Sequence, residues 1–295
     1  MINYIDIEIE SNEGLTIQAQ SNESLNDLKV EDIRQHLSEH GILLLRNFDI
    51  SLESYSKFVG SILKTVTLDP ARNFVSKEVQ LVDSGYDEIP LHCENGLTPF
   101  PPDILFFMCE IPASRGSQTT YCDGVQVWEH LSSPAKEYFS SHQFTFERVI
   151  PNNIWKNYVV NQFKVEFNEE NVQTILAQLK KEHPEHTVQV NDDGSILARL
   201  SIPLVHKTLF SNKLAFANSL IGPSFNYSVP IIRDELGNAL VEKYVEEFRT
   251  VSQQLTRDHL WQKHDLLIID NTRYMHGRRK IEDTNRKIYL AMGNL

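Results

Sequence analysis

His92-Cys93-Glu94 and the distant His276, in the string DNTRYMHGRR, supply two imidazoles and one carboxylate. Side chains alternate along an extended strand, so His92 and Glu94 face one way and Cys93 the other. With His276 they complete a two-histidine, one-carboxylate facial triad. Such a triad holds non-haem Fe(II) from one side and leaves the other positions open to O2 and a co-substrate. H-x-E arises often by chance, so the surroundings carry the case. A second cluster, His183-Pro184-Glu185-His186, also has ligand-type side chains. It lies in a polar stretch, interrupted by Pro184, with no buried strand to hold it and no visible supporting shell, and is not expected to bind metal. His36, His40, His130, His142, His206, His259 and His264 have no partner at ligand spacing and read as ordinary core or surface histidines. Cys93 is assigned to packing rather than redox chemistry.

Arg286 follows ten residues after His276. On an extended strand it shares a face with Ile288, Leu290 and Met292, while Lys287, Tyr289 and Ala291 share the other. A guanidinium aligned with three large apolar residues points inward, where it needs an anionic partner. Its fork matches a carboxylate through two parallel hydrogen bonds. That carboxylate is either an internal Asp or Glu or the distal end of a bound dicarboxylic acid; the strand pattern leaves both open.

The elements that must position these groups are short. Ser24 to His40 has helical spacing of Leu28, Ile33 and Leu37, and residues 41–45 read as a buried strand. Ser51 to Leu63 predicts a helix with Tyr55, Phe58, Val59 and Ile62 on its apolar stripe. Residues 79–82 and 90–94 predict strands, and Asp103 to Cys109 (DILFFMC) has the pattern of a strand buried on both faces. Val125 to Phe139 reads as helical, with Ser133 as a cap and Pro134 in its first turn. Asn171 to Glu182 is also helical. Residues 140–200 are polar and read as an insertion over the core, a substrate lid by position. Strands resume at 196–205 and 214–217. Leu240 to Leu255 predicts an amphipathic helix with Val241, Tyr244, Val245, Phe248 and Val251 on one side. Residues 266–269 and 287–292 predict strands, with His276 at a strand end. Short strands carrying ligands from both ends of the chain suit one mainly β (α+β) domain, residues 1–295. Its core would be a double-stranded β-helix, or jelly roll, with flanking helices and a helical insertion.

Composition narrows the function classes. The 295 residues are 41% apolar, enough for a sizeable core, with net charge −12. That charge argues against a nucleic-acid surface and against a polybasic membrane patch. The three cysteines, Cys93, Cys109 and Cys122, form no C-x-x-C pair, so a reducing, cytoplasmic setting is expected. The acidic residues 1–14 do not read as a signal peptide, and no run reaches the roughly 18 apolar residues of a membrane span.

The string LHCENGLTPFPPDILFFMCEIPASRGSQTTYCDGVQVW, followed much later by DLLIIDNTRYMHGRR and the arginine, resembles the TauD/TfdA-like Fe(II)/2-oxoglutarate-dependent dioxygenases. The pattern there is H-x-D/E, a P-D-x-L-x-F strand, a G-G-x-T turn leading to D-G, then D-N-x-x-x-x-H-G-R with a downstream Arg. The resemblance covers residues 42–130 and 260–293 and thins over 140–200. It implies that His92, Glu94 and His276 are iron ligands and that Thr119 and Arg286 bind a carboxylate of 2-oxoglutarate. Two departures stand out. Ser117 replaces the second glycine of the turn. Many members place the anchoring Arg about four residues further on, where this chain has Leu290, so Arg278 is the alternative anchor.

The implied reaction consumes O2 and 2-oxoglutarate, releases succinate and CO2, and hydroxylates an unactivated carbon of a small polar molecule such as an amino acid or natural-product intermediate. Related halogenases carry Ala or Gly at position 94, so Glu94 points away from halogenation; desaturation and epoxidation use the same triad. Glu rather than Asp there resembles members acting on free or carrier-bound amino acids. Asn95 and Arg148 are candidate substrate contacts. Two rivals stay open: a non-catalytic jelly-roll sensor of 2-oxoglutarate or metal, and a zinc hydrolase, against which the absence of an H-E-x-x-H helix weighs.

Overall fold

The structure, a computed structural model, describes residues 3–5, 14–19, 23–69, 72–83, 85–222 and 229–295. Two sheets form the core. In the larger, Ile42–Arg46, Leu266–Asp270, Ile104–Ile111 and Lys287–Asn294 are consecutive antiparallel neighbours. In the smaller, the order is Arg257–His259, Thr119–Asp123, Tyr274–Arg278 and Ile89–His92. Alternation along the central strands explains both layers of packing. Leu44, Phe107, Leu267 and Leu290 meet Tyr121 and Tyr274 of the smaller sheet. Leu43, Phe106, Ile268 and Tyr289 turn the other way, onto helices Val30–His40 and Leu52–Ile62. Strands buried on both faces must be apolar throughout, which is why DILFFMC and LLII show no alternation. The result is a jelly-roll core.

Several boundaries differ from expectation. Ser24–His40 divides: Ser24 caps a short 3-10 turn, Leu25–Asp27, and the helix begins only at Val30. The stretch 125–139 is two helices, Gly124–His130 and Ser133–Ser141. Ser132, not Ser133, caps the second by accepting from the Ala135 amide. Val241 precedes helix Glu242–Leu255 and is exposed, while Val245 and Phe248 are buried.

The polar stretch 140–200 is not only helical. Phe144–Ile150, His186–Val190 and Ile196–Ile202 pair with one another, joined by Ile231–Asp234, as a four-stranded sheet. Helices Asn152–Phe163 and Glu169–Glu182 belong with it, and Trp155, Val172 and Ile196 form a small core of their own.

Candidate active site

The strands Ile89–His92 and Tyr274–Arg278 are antiparallel neighbours in a register that sets His276 directly opposite His92. Their rings lie 4.4 Å apart between centroids. His276 therefore stands in the middle of a strand, not at the end of one. The predicted 90–94 strand stops at His92, and Glu94 lies in the turn beyond it. What orients Glu94 is Asn271. Its Oδ1 accepts from the Glu94 amide at 2.9 Å, and its Nδ2 donates to the carbonyls of Glu94 at 3.2 Å and Pro102 at 2.8 Å. The D-N pair of the motif thus secures the carboxylate's backbone from across the site.

Three donor atoms converge. Glu94 Oε2 is 3.2 Å from His276 Nε2 and 3.7 Å from His92 Nε2. His92 Nδ1 lies 2.9 Å from the Pro90 carbonyl, which can only accept, so that nitrogen is the N–H donor and Nε2 is the ring atom turned toward Glu94. Arg72, for which the sequence carried no motif signal, sets Nη2 3.2 and 3.3 Å from the two Glu94 oxygens, and its Nε pairs with Asp69 at 3.0 Å. Burial opposes ionisation of Glu94, but Arg72 and the bonds to His276 and His92 outweigh it and hold the carboxyl well below the usual carboxylate range. Burial first, then the neighbouring His92, pushes His276 down to about 4, so its imidazole is neutral and able to ligate. Cys93 turns to the far side, into the apolar cluster that holds Leu97, Cys122 and Met275.

Gly277 makes the strand pairing possible. A Cβ there would lie 2.5 Å from the Ile89 carbonyl oxygen and 2.7 Å from Thr120 Oγ1. Gly277→Ala should push the His92 strand away and, if the three donors bind Fe(II) as the sequence leads one to expect, weaken that binding roughly ten- to hundredfold with all three side chains unchanged. An unchanged Fe(II) titration would show that the close approach does not matter.

Asp270 begins the same motif and is buried, with Oδ1 accepting from Thr272 N at 2.9 Å and Thr272 Oγ1 at 2.6 Å. Burial raises its pKa from 3.8 to about 7. Over that window the native state binds more protons than the unfolded chain, so stability is full at the acid end and falls as pH rises through about 7. Asp270→Asn keeps an acceptor for Thr272 and should flatten this fall. Melting temperatures of both proteins between pH 5 and 8 test it, and parallel curves would refute it.

A cavity leads from the two histidines to Thr119, Arg278 and Arg286. Thr119 Oγ1 accepts from Trp261 Nε1 at 3.1 Å, a partner no motif announced. Arg286 donates to the carbonyls of Val82 at 3.0 Å and Ser117 at 3.4 Å. Arg278 donates to those of Gly85 and Asp87, each at 2.9 Å. Among the described residues no ion pair joins Arg286 to a carboxylate, so the internal partner allowed by the sequence is not found. Burial pushes both guanidiniums down to about 10, Arg278 also through the charge of Arg286. Two like charges in one cavity favour a bound anion. Ser117 sits at φ +63°, which explains why glycine suits this turn position. Its Oγ accepts from the Glu282 amide at 3.2 Å.

Asn95 and Arg148 line a second cavity, beneath the insertion, that shares Asp69 with the first. In the His183–His186 cluster, His183 Nδ1 lies 3.1 Å from Glu185, and His186 opens a strand and faces this second cavity. His36 and His40 depart from expectation: with Glu39 they bring three donor atoms within 4.8 Å of one another at a helix end. Helical spacing of four residues produces this pairing, but Glu39 is half exposed and the group stands apart from the cavities.

A profile of the taurine catabolism dioxygenase TauD, TfdA family matches residues 7–292. The chain belongs to this family. This TauD/TfdA protein is an Fe(II)/2-oxoglutarate-dependent oxygenase, and its cofactor and co-substrates are Fe(II), 2-oxoglutarate and O2. It is 23% identical over 274 residues to 3-((Z)-2-isocyanoethenyl)-1H-indole synthase of Fischerella ambigua (strain UTEX 1903), covering 90% of this chain and 86% of the relative. It resembles PvcB from Pseudomonas aeruginosa with a TM-score of 0.66 at 14% identity, covering 100% of this chain and 92% of PvcB. PvcB is described as an Fe, alpha-ketoglutarate dependent oxygenase from an isonitrile synthetic pathway. AAD-2 in complex with Mn(II) and N-oxalylglycine matches with a TM-score of 0.61 at 13% identity, over 99% of this chain and 97% of AAD-2. Among the described residues no helix is long and apolar enough to cross a membrane.

Proposed function

We propose that His92, Glu94 and His276 hold the iron, that Thr119 and Arg286 hold the distal carboxylate of 2-oxoglutarate, and that the enzyme hydroxylates an unactivated carbon of a small molecule. One observation carries this: three convergent donors open onto a cavity that ends at a threonine hydroxyl and a guanidinium with no carboxylate partner among the described residues. The donor set, two imidazoles and an ionised carboxylate, fits Fe(II). When bound, iron supplies the oxygen chemistry that turns 2-oxoglutarate into succinate and CO2.

The chain's own groups do the positioning. Arg72 touches both Glu94 oxygens, so one oxygen can ligate while the other stays tethered. Pro90 and Asn271 fix the orientation of His92 and Glu94. Trp261 fixes the Thr119 hydroxyl oxygen as an acceptor and leaves its proton for the co-substrate carboxylate. A zinc hydrolase or a metal sensor would leave the Thr119–Arg286 end of the cavity without work.

The isonitrile association of PvcB and the naming of the Fischerella synthase support a natural-product intermediate as substrate, free or carrier-bound, ahead of an ordinary amino acid. Residues 1–295 act as one oxygenase domain with 140–200 as cover. Three free, buried cysteines support a reducing cytoplasm.

The test is anaerobic. Apo-protein titrated with Fe(II) and 2-oxoglutarate should develop the weak visible charge-transfer band of a chelated keto acid. Loss of the band in Arg286→Ala supports the anchor, and survival shifts the assignment to Arg278. Iron binding without any band would overturn the oxygenase site as drawn.

A further inference from the structure

One row of the smaller sheet reaches the end of the co-substrate cavity. Thr119 stands opposite Arg278 on one neighbouring strand and opposite His259 on the other, and residues directly opposite present their side chains to the same face. Trp261, two residues beyond His259, folds back behind Thr119 and gives its indole N–H to Thr119 Oγ1 at 3.1 Å. The turn that carries this ring is braced on several sides. The indole meets His259 edge-on, with centroids 4.3 Å apart. Asp265, fully buried, closes the turn by accepting from the Gln262 amide at 2.8 Å. Arg46, from the larger sheet, grips the same carboxylate at 2.8 and 2.7 Å, and His259 Nε2 lies 3.3 Å from it. Burial opposes ionisation of Asp265, but Arg46, His259 and the Gln262 amide outweigh it and hold the carboxyl below the usual carboxylate range. Backbone bonds from Cys109 to Asp265 and from His264 to Cys109 tie the end of the turn to the strand Ile104–Ile111. The indole is thus held at one angle to Thr119.

We infer that Trp261 is a specificity-determining residue that acts through Thr119: its fixed N–H turns the hydroxyl into a donor toward the cavity, so the distal end selects a carboxylate over a carboxamide. This rests on the co-substrate site proposed above. A hydroxyl carries one proton and two lone pairs. Free to rotate, it donates to a carboxylate or accepts from an amide N–H, and so does not tell them apart. An N–H already bonded to its oxygen polarises the O–H, which strengthens donation and disfavours a second donor on the same atom. Arg286 cannot make this distinction alone, because a carboxamide can offer it a carbonyl oxygen. The amide NH2 must then face Thr119, where the Trp261 N–H already sits. Only an acid gives an acceptor to both groups. Trp261 needs no contact with the co-substrate for this, since it stands behind Thr119 and outside the cavity lining.

Binding rather than turnover provides the readout. Full-length protein loaded with redox-inert Zn(II) would be titrated calorimetrically with N-oxalylglycine, a 2-oxoglutarate isostere with NH in place of one CH2, and with its distal carboxamide. The unaltered protein should prefer the acid. Trp261→Phe should weaken the acid about three- to tenfold, the range of one hydrogen bond, and the amide less, so that the acid-over-amide ratio shrinks. In a Thr119→Val background Trp261→Phe should shift neither ligand further, because the indole acts only through the hydroxyl. Equal weakening of acid and amide, or an effect that persists undiminished beside Thr119→Val, would reduce Trp261 to packing and overturn the inference. Should Trp261→Phe not fold, Thr119→Val decides in metal-free protein with isotopically labelled tryptophan. One of the three indole N–H signals, those of Trp128, Trp155 and Trp261, must then exchange faster with solvent, and three unchanged signals would overturn the inference. Failure of the metal site shows itself separately, as unaltered protein that takes up no Zn(II), and the indole exchange tests the Trp261–Thr119 bond without metal.

Discussion

His276→Ala is expected to remove iron-dependent succinate release and leave the fold in place. The metal contributes several kcal/mol to such reactions, and each 1.4 kcal/mol is about tenfold, so the loss should be roughly a thousandfold or more. The ring lies between the two sheets, 5.4 Å from Phe107, so its removal opens a small void but no surface. Glu94 stays ionised in the variant because Arg72 remains on both of its oxygens. Circular dichroism should therefore be native while Fe(II) binding fails. Normal turnover in this variant would remove His276 from the site. A global loss of structure would mean that its packing, rather than its nitrogen, is what the fold requires.

Arg286→Ala should act on the co-substrate instead. Two charge-assisted hydrogen bonds to a carboxylate are together worth about 3 kcal/mol or more, so KM for 2-oxoglutarate should rise roughly a hundredfold. At saturating 2-oxoglutarate kcat should recover most of its value, because no ligand to the metal has changed. Arg278→Gln is a contrasting case. Arg278 donates to the carbonyls of Gly85 and Asp87 and so ties down the 85–87 loop. Its loss should lower thermal stability more than it raises KM. Should Arg278→Gln show the larger KM effect, the two arginines exchange roles.

Much of the proposed metal site is legible in the sequence because its signals are local. His92 and Glu94 sit two apart, His276 follows a run of core residues, and Arg286 keeps the phase of a buried strand. Arg148 shares the inward phase of Phe144 and Phe146, but that phase is visible only once the strand carrying all three is known. Arg72, Asp69 and Trp261 were invisible because their roles depend on where a loop or sheet edge folds back, not on spacing. The strand Phe144–Ile150 and helix Asn152–Phe163 were missed because both are half exposed, and their polar residues mask the period. His36 and His40 were taken singly although they stand four residues apart on a helix, the separation that makes neighbours. The strand boundary at His92 was misplaced because Asn95, at φ +52°, already turns the chain while its residue types still suit a strand.

The pairing of His276 with His92 sets an order of events during synthesis. His92 and Glu94 leave the ribosome first, and the strand that brings His276 between its neighbours, residues 274–278, follows much later. The same late segments, Leu266–Asp270 and Lys287–Asn294, complete the larger sheet around Ile104–Ile111. A nascent chain lacking them has two donors, no Asn271 to hold Glu94 and no Arg286 at the cavity's end. On the proposed ligand set, a three-donor centre thus cannot assemble before the sheets that enclose it.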